Sequence, residues 1–177
     1  YHRDGCVFSR EIDIEDSMNV AVAYKSGVKL SYSLNSYMPW EGYVVSFNGT
    51  KGRLEHKCEE SAYINADGSV PGALQREGTY IRVYPHWAPA YTVDVWEGEG
   101  GHGGADPVML RHIFDPSSQP ADPYMRLADE RAGAWSILTG AAANKSMADR
   151  QPVDVPDLVE GLDMPDYPAM PNREEPL

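Results

Sequence analysis

Between Asn19 and Cys58 apolar and polar residues alternate with a period of two, and that alternation confines the chain to one kind of architecture. Successive side chains of an extended strand point to opposite faces, so this period builds a sheet with one dry face and one wet face. Val20, Val22 and Tyr24 share a face and lead into the turn Lys25-Ser26-Gly27. Val28, Leu30, Tyr32 and Leu34 then alternate with Lys29, Ser31, Ser33 and Asn35. Met38-Pro39-Trp40-Glu41-Gly42 interrupts the pattern; Tyr43, Val45 and Phe47 resume it. Asn48-Gly49 is expected to close a second hairpin into Leu54, His56 and Cys58, which alternate with Arg53, Glu55 and Lys57. The product is an antiparallel meander.

Two further strands are expected at residues 80–84 (YIRVY) and 91–96 (YTVDVW), with a short one at 62–64. Pro85 and Pro89 place the connection between the first two outside the ladder, because proline has no N–H to donate. Asp106 followed by Pro107 is a helix start: the carboxylate accepts free amides of the first turn, and proline loses nothing at the first helical position. Asp115-Pro116 ends that helix. A second helix is expected over 130–149, with Ala134, Ile137, Leu138, Ala141 and Ala148 facing the core. The small stretch from Gly140 to Ala143 suits close approach of helix to sheet, or a groove for a ligand. The fold class is therefore α+β: an open-faced, predominantly antiparallel sheet with helices packed on one face. Residues 1–150 form the domain, and residues 151–177, with six of the fourteen prolines, form an extended tail held where Val153, Val155 and Leu158 allow.

A net charge of −12 with scattered Lys and Arg excludes nucleic acid as a natural partner. No apolar run approaches the roughly 20 residues of a membrane helix. Cys6 and Cys58 form no CxxC pair and are expected to be buried thiols. His102 and Asp106 stand four apart, but a metal site needs three or four converging ligands, so no metal is expected. The start, Tyr1-His2-Arg3-Asp4-Gly5, has neither an initiator Met nor a signal-peptide pattern, so a longer parent is expected.

The stretch GEGGHGGADPVMLRHIF, from Gly98 to Phe114, places a glycine loop carrying His102 before the first helix. A helix N-terminus gathers free N–H groups and the positive end of the dipole, which suits a polar ligand; a plain glycine turn with His102 on the surface fits the same spacing. The loop is no dinucleotide fingerprint, since no acidic residue closes a second parallel strand. Gly49-Thr50-Lys51-Gly52 is no phosphate loop, and the sequons at Asn48 and Asn144 are read as chance matches. Trp40, Tyr43, Tyr84, His86, Trp87 and Trp96 cluster near turns, where aromatics either stack on sugar rings or finish a core.

Four segments in order resemble the C-terminal domain of the Gfo/Idh/MocA oxidoreductases: Ile14-Glu15-Asp16, the run from Asn19 to His56, GGHGGADPVML and SILTGAAANKSMADRQPVDVPDL. The resemblance implies a two-domain enzyme whose Rossmann half binds NAD or NADP, and whose second half shapes the substrate pocket and pairs protomers through its open sheet face. The Rossmann half, the family's Lys of the E-K-P type motif and its Asp and His pair are not found in this sequence, so no cofactor is expected on this chain alone. The implied function is the substrate-binding and oligomerisation domain of an NAD(P)-dependent oxidoreductase acting on a sugar or polyol, in the cytoplasm unless the parent is exported. Alternatives are a domain of an NAD-dependent glycoside hydrolase of the same superfamily, or a non-catalytic module that interacts through its sheet. On this reading His102 is the candidate catalytic and substrate-binding group, with Trp40, Tyr43 and Trp87 as further substrate contacts. An imidazole titrates near neutrality and can exchange a proton with a sugar hydroxyl.

Overall fold

A computed structural model describes residues 5–6, 8–61, 78–96, 98, 102–119, 122 and 127–165. The expected strand at 62–64, the chain start and the tail beyond residue 165 lie outside the described residues. The fold is α+β, with antiparallel strands throughout the described pairings. The chain separates into two compact units, residues 1–110 and 111–177.

In the first unit the alternating stretch divides into two sheets instead of one continuous meander. Strands β1 (Ser17–Ala23) and β2 (Lys29–Asn35) form a hairpin on their own, pairing Met18 with Leu34, Val20 with Tyr32 and Val22 with Leu30. Gly27, at φ +90°, closes its turn, and the Gly27 amide donates to the Tyr24 carbonyl at 2.9 Å. Met38-Pro39 breaks the ladder after β2, where proline cannot continue the pairing, and the chain begins a new sheet.

That second sheet has the order β3 (Glu41–Gly49), β4 (Gly52–Ser61), β5 (Tyr80–Pro85) and β6 (Tyr91–Val93). Its register puts Phe47 opposite Leu54, Leu54 opposite Val83, and Val83 opposite Tyr91, so one face carries an apolar row across all four strands. The other face is polar. There Arg53 donates through Nε to Glu55 Oε1 at 2.8 Å, through Nη1 to Asn48 Oδ1 at 2.9 Å and through Nη2 to Ser46 Oγ at 2.8 Å. The Tyr84 hydroxyl donates to the second Glu55 oxygen at 3.3 Å. The β3–β4 turn is Thr50-Lys51, two residues later than Asn48-Gly49, because Asn48 is held in the ladder opposite Arg53. β6 stops at Val93, short of the expected end at residue 96.

In the second unit α2 (Glu130–Asp149) has the expected bounds. Asp129 caps it, its carboxylate accepting from the Ala132 amide at 2.8 Å, and Arg150 closes it in the left-handed region at φ +57°. Its buried side differs from the one expected. Ala142 is buried, with Trp135, Leu138 and Ser146 half-buried on the same stripe, whereas Ile137 is 75% exposed and Ala141 and Ala148 are exposed. The cause is the following segment, which packs on α2 through the short turn Val155–Leu158. The Trp135 indole donates to the Asp163 carbonyl at 3.1 Å and the Arg131 guanidinium to the Met164 carbonyl at 3.3 Å. Gly140 is not a close-approach glycine, since a Cβ there meets nothing within 4 Å.

Two glycines of the second sheet have no substitute. Gly42 (φ +143°) sits at the register shift that opens β3, and a Cβ there runs into the Cys58 carbonyl; Gly52 (φ +152°) opens β4, and a Cβ there runs into the Tyr84 carbonyl. Gly42→Ala and Gly52→Ala are each expected to lower stability by roughly 1–3 kcal/mol, measured by chemical denaturation. Wild-type midpoints in both would contradict this geometry.

Candidate functional site

The glycine-rich stretch enters the described residues as a tight turn, His102–Gly104, that runs directly into α1 (Ala105–Phe114). Residues 99–101 of the loop lie outside the described residues. His102 takes φ +53°, a left-handed conformation that a side chain with a Cβ rarely adopts. Its Nδ1 lies 3.1 Å from Asp106 Oδ2 and 3.3 Å from Oδ1. Asp106 was expected as the helix cap; it stands instead within the first turn of α1, facing His102. Sequence reasoning met this four-residue spacing as an incomplete metal site. Among the described residues no group of three or more His, Cys, Asp or Glu is arranged so that it could hold a metal ion.

His102 and Asp106 both reach solvent, at 75% and 54% side-chain exposure. The hydrogen bond that the ring donates to Asp106, and next the negative charge of that carboxylate, raise the His102 pKa above the ordinary 6.5; Glu60 adds a smaller push the same way. The pair therefore favours the protonated ring. Because the folded-state pKa is raised, its contribution to stability is fully present below the unfolded pKa. That contribution fades as pH rises through the folded pKa.

The three aromatic candidates do not converge. Tyr43 lies on the apolar face of the second sheet, its ring stacked on His56 with centroids 5.4 Å apart, beside Cys58. Trp40 lies by the polar face, with the Lys57 ammonium 4.9 Å from its ring centroid. Trp87 stands in the β5–β6 connection, 97% exposed, with the His86 ring 6.4 Å away. Trp40 and Tyr43 thus serve opposite faces of one sheet, and a single planar ligand cannot stack on both.

The thiols also divide. Cys58 is buried, at 6% exposure, and burial pushes its pKa up despite a Tyr43 hydrogen bond that acts the other way. Cys6 was expected to be buried but is exposed, since it precedes the first ladder and no sheet face covers it. A pyrophosphate is seated between a parallel strand and the helix that follows it, and every pairing among the described residues is antiparallel.

Comparison with known proteins agrees with the architecture. Residues 2–155 match the family model of the oxidoreductase family, C-terminal alpha/beta domain, GFO_IDH_MocA_C. The chain belongs to that family. It is also similar to the Bacillus subtilis (strain 168) protein named "Putative oxidoreductase YteT", at 38% identity over 160 residues. That match covers 90% of this chain and 36% of the relative, so the chain spans about a third of the protein it resembles. No solved structure matches the chain significantly. Among the described residues no helix is long and apolar enough to cross a membrane.

The thiol geometry has a direct test. With Ellman's reagent at neutral pH the native chain is expected to release prompt colour from Cys6 alone, and Cys58 is expected to react only after denaturation. Two prompt thiols would contradict the burial of Cys58.

Proposed function

We propose that this chain is the substrate-binding and oligomerisation domain of an NAD(P)-dependent oxidoreductase that acts on a sugar or polyol. The observation that carries the proposal is an exposed, carboxylate-paired imidazole at the mouth of a glycine loop, in a chain of this oxidoreductase family. Oxidising a carbinol requires its hydroxyl to lose a proton as the C–H bond gives up hydride. The hydride acceptor, NAD or NADP, is held by the Rossmann part of the intact protein and supplies the redox chemistry. This chain supplies position and a proton acceptor. His102 takes the hydroxyl proton when that hydroxyl comes within hydrogen-bond reach of its ring. Of the aromatics, Trp87 is the most exposed and so the best placed to lie along a sugar ring, while the His56 ring occupies one side of Tyr43 and Lys57 crowns Trp40.

Oligomerisation rests on the apolar row of the second sheet, where Phe47 is 61% and Tyr91 54% exposed. A contiguous apolar face of this kind is rarely left to water, and a second copy of the protein covers it in this reading. A negative net charge argues against a nucleic-acid partner. Two free thiols, one of them exposed, fit a reducing compartment, and we place the protein in the cytoplasm.

The kinetic test uses the full-length protein against a panel of aldoses and cyclic polyols, following NADH or NADPH absorbance. His102→Gln is expected to lower kcat/KM by about 100-fold or more with an unchanged melting temperature. Unchanged kinetics would remove His102 from the site. Light scattering on the same preparation is expected to give a dimer or higher oligomer, and a strict monomer at high micromolar concentration would sink the sheet-mediated assembly.

A further inference from the structure

The His102–Asp106 pair carries more than a ligand contact. A carboxylate offers only acceptors, and a neutral imidazole carries one N–H. With Asp106 Oδ2 3.1 Å from Nδ1, that N–H sits on Nδ1, and the lone pair is left on Nε2. No described residue pairs with Nε2, and the side chain is three-quarters exposed. An isolated histidine in water prefers the opposite tautomer, with the proton on Nε2, so the pairing selects a form that solvent alone would not.

The backbone points the same way. Among the described residues only two non-glycine residues have positive φ, Arg150 and His102. Arg150 has a structural reason, closing α2. Gly103, next in the chain, could turn left-handed without a Cβ penalty, yet the histidine takes that conformation. Non-glycine residues held this way gather where a side chain must be aimed. Here the left-handed residue is the one whose ring meets the first turn of α1, where Asp106 waits four residues on.

From this geometry we infer that Asp106 is a positioning residue. Its carboxylate holds the Nδ1 proton of His102 and presents the Nε2 lone pair outward, as the atom that accepts a substrate hydroxyl proton. When Nε2 takes that proton the ring becomes an imidazolium already beside a carboxylate, so the charge that appears is met without rearrangement. Glu60, the other acidic group that acts on this ring, favours the same charged form. The inference rests on the substrate-facing reading of His102 given above, but it makes a claim about the resting protein that can be tested without substrate.

The experiment is a long-range 1H–15N correlation spectrum of the 15N-labelled chain, recorded through a pH titration. At pH above the imidazole pKa, wild type is expected to show a pyrrole-like Nδ1 and a pyridine-like Nε2. Asp106→Asn is expected to keep that tautomer, because the amide oxygen still accepts from Nδ1–H, while the pKa falls back toward the ordinary imidazole value. Asp106→Ala is expected to lose both signatures. Circular dichroism confirms that each variant is folded. An Nε2–H tautomer in wild type, or an unchanged pKa and tautomer in Asp106→Ala, would overturn the inference. In the full-length enzyme Asp106→Asn is expected to move the acidic limb of kcat/KM to lower pH, and a role limited to stabilising α1 would leave that limb in place. Failure of the His102→Gln kinetics with an intact wild-type tautomer would reject the substrate reading and leave the pairing standing.

Discussion

The register of β4 between β3 and β5 is the constraint from which the larger sheet follows. With Leu54 placed between Phe47 and Val83, the residues 54, 56 and 58 all join the apolar face and 53, 55 and 57 all join the polar one. A slip of one residue would exchange the faces and bring Arg53, Glu55 and Lys57 to the dry side without partners. The Arg53 hydrogen bonds to Ser46 and Asn48 cross from β4 to β3 and reward the observed register, which sets Arg53 directly opposite Asn48. Exposed ion pairs are individually weak. The two cross-strand bonds contribute specificity instead, since they tie Arg53 of β4 to Ser46 and Asn48 of β3 close to the turn.

The same register leaves the domain with a thin core. Among the described residues only Cys58 and Ala142 count as buried apolar side chains, while Phe47, Tyr91, Trp87 and Ile137 are well exposed. Apolar burial supplies most of the free energy that offsets chain entropy. In the proposed assembly the row Phe47, Leu54, Val83 and Tyr91, which the register runs across all four strands, is the surface that a second copy covers. His56 sharpens that picture: its Nε2 is shielded from solvent and has no partner among the described residues, in the middle of the apolar face. Such a nitrogen is costly to bury without a hydrogen bond.

Much of this fold was legible in the alternation from Asn19 onward, because a period of two is a direct image of strand geometry. The bounds of α2 were legible as well, since the helix expected over 130–149 is the one observed. Three features escaped for physical reasons. The division into two sheets depends on which strands pair, and alternation reports faces, not partners. The buried side of α2 was misjudged because its small residues make several stripes equally apolar, and the choice is made by the tail that docks on Trp135 and Arg131. Asp106 was read as a cap because an acid before proline at a helix start suits that role; the left-handed turn at His102, invisible in the sequence, brings the imidazole to it instead.

In the proposed enzyme the glycine turn of this domain faces the reacting carbon of a sugar or polyol. A crystal structure of the full-length protein with its nicotinamide cofactor and a bound polyol tests it most directly. His102 Nε2 is expected within about 3 Å of the hydroxyl next to the nicotinamide ring, with Nδ1 still on Asp106. A polyol bound with His102 pointing into solvent, away from the nicotinamide, would contradict it.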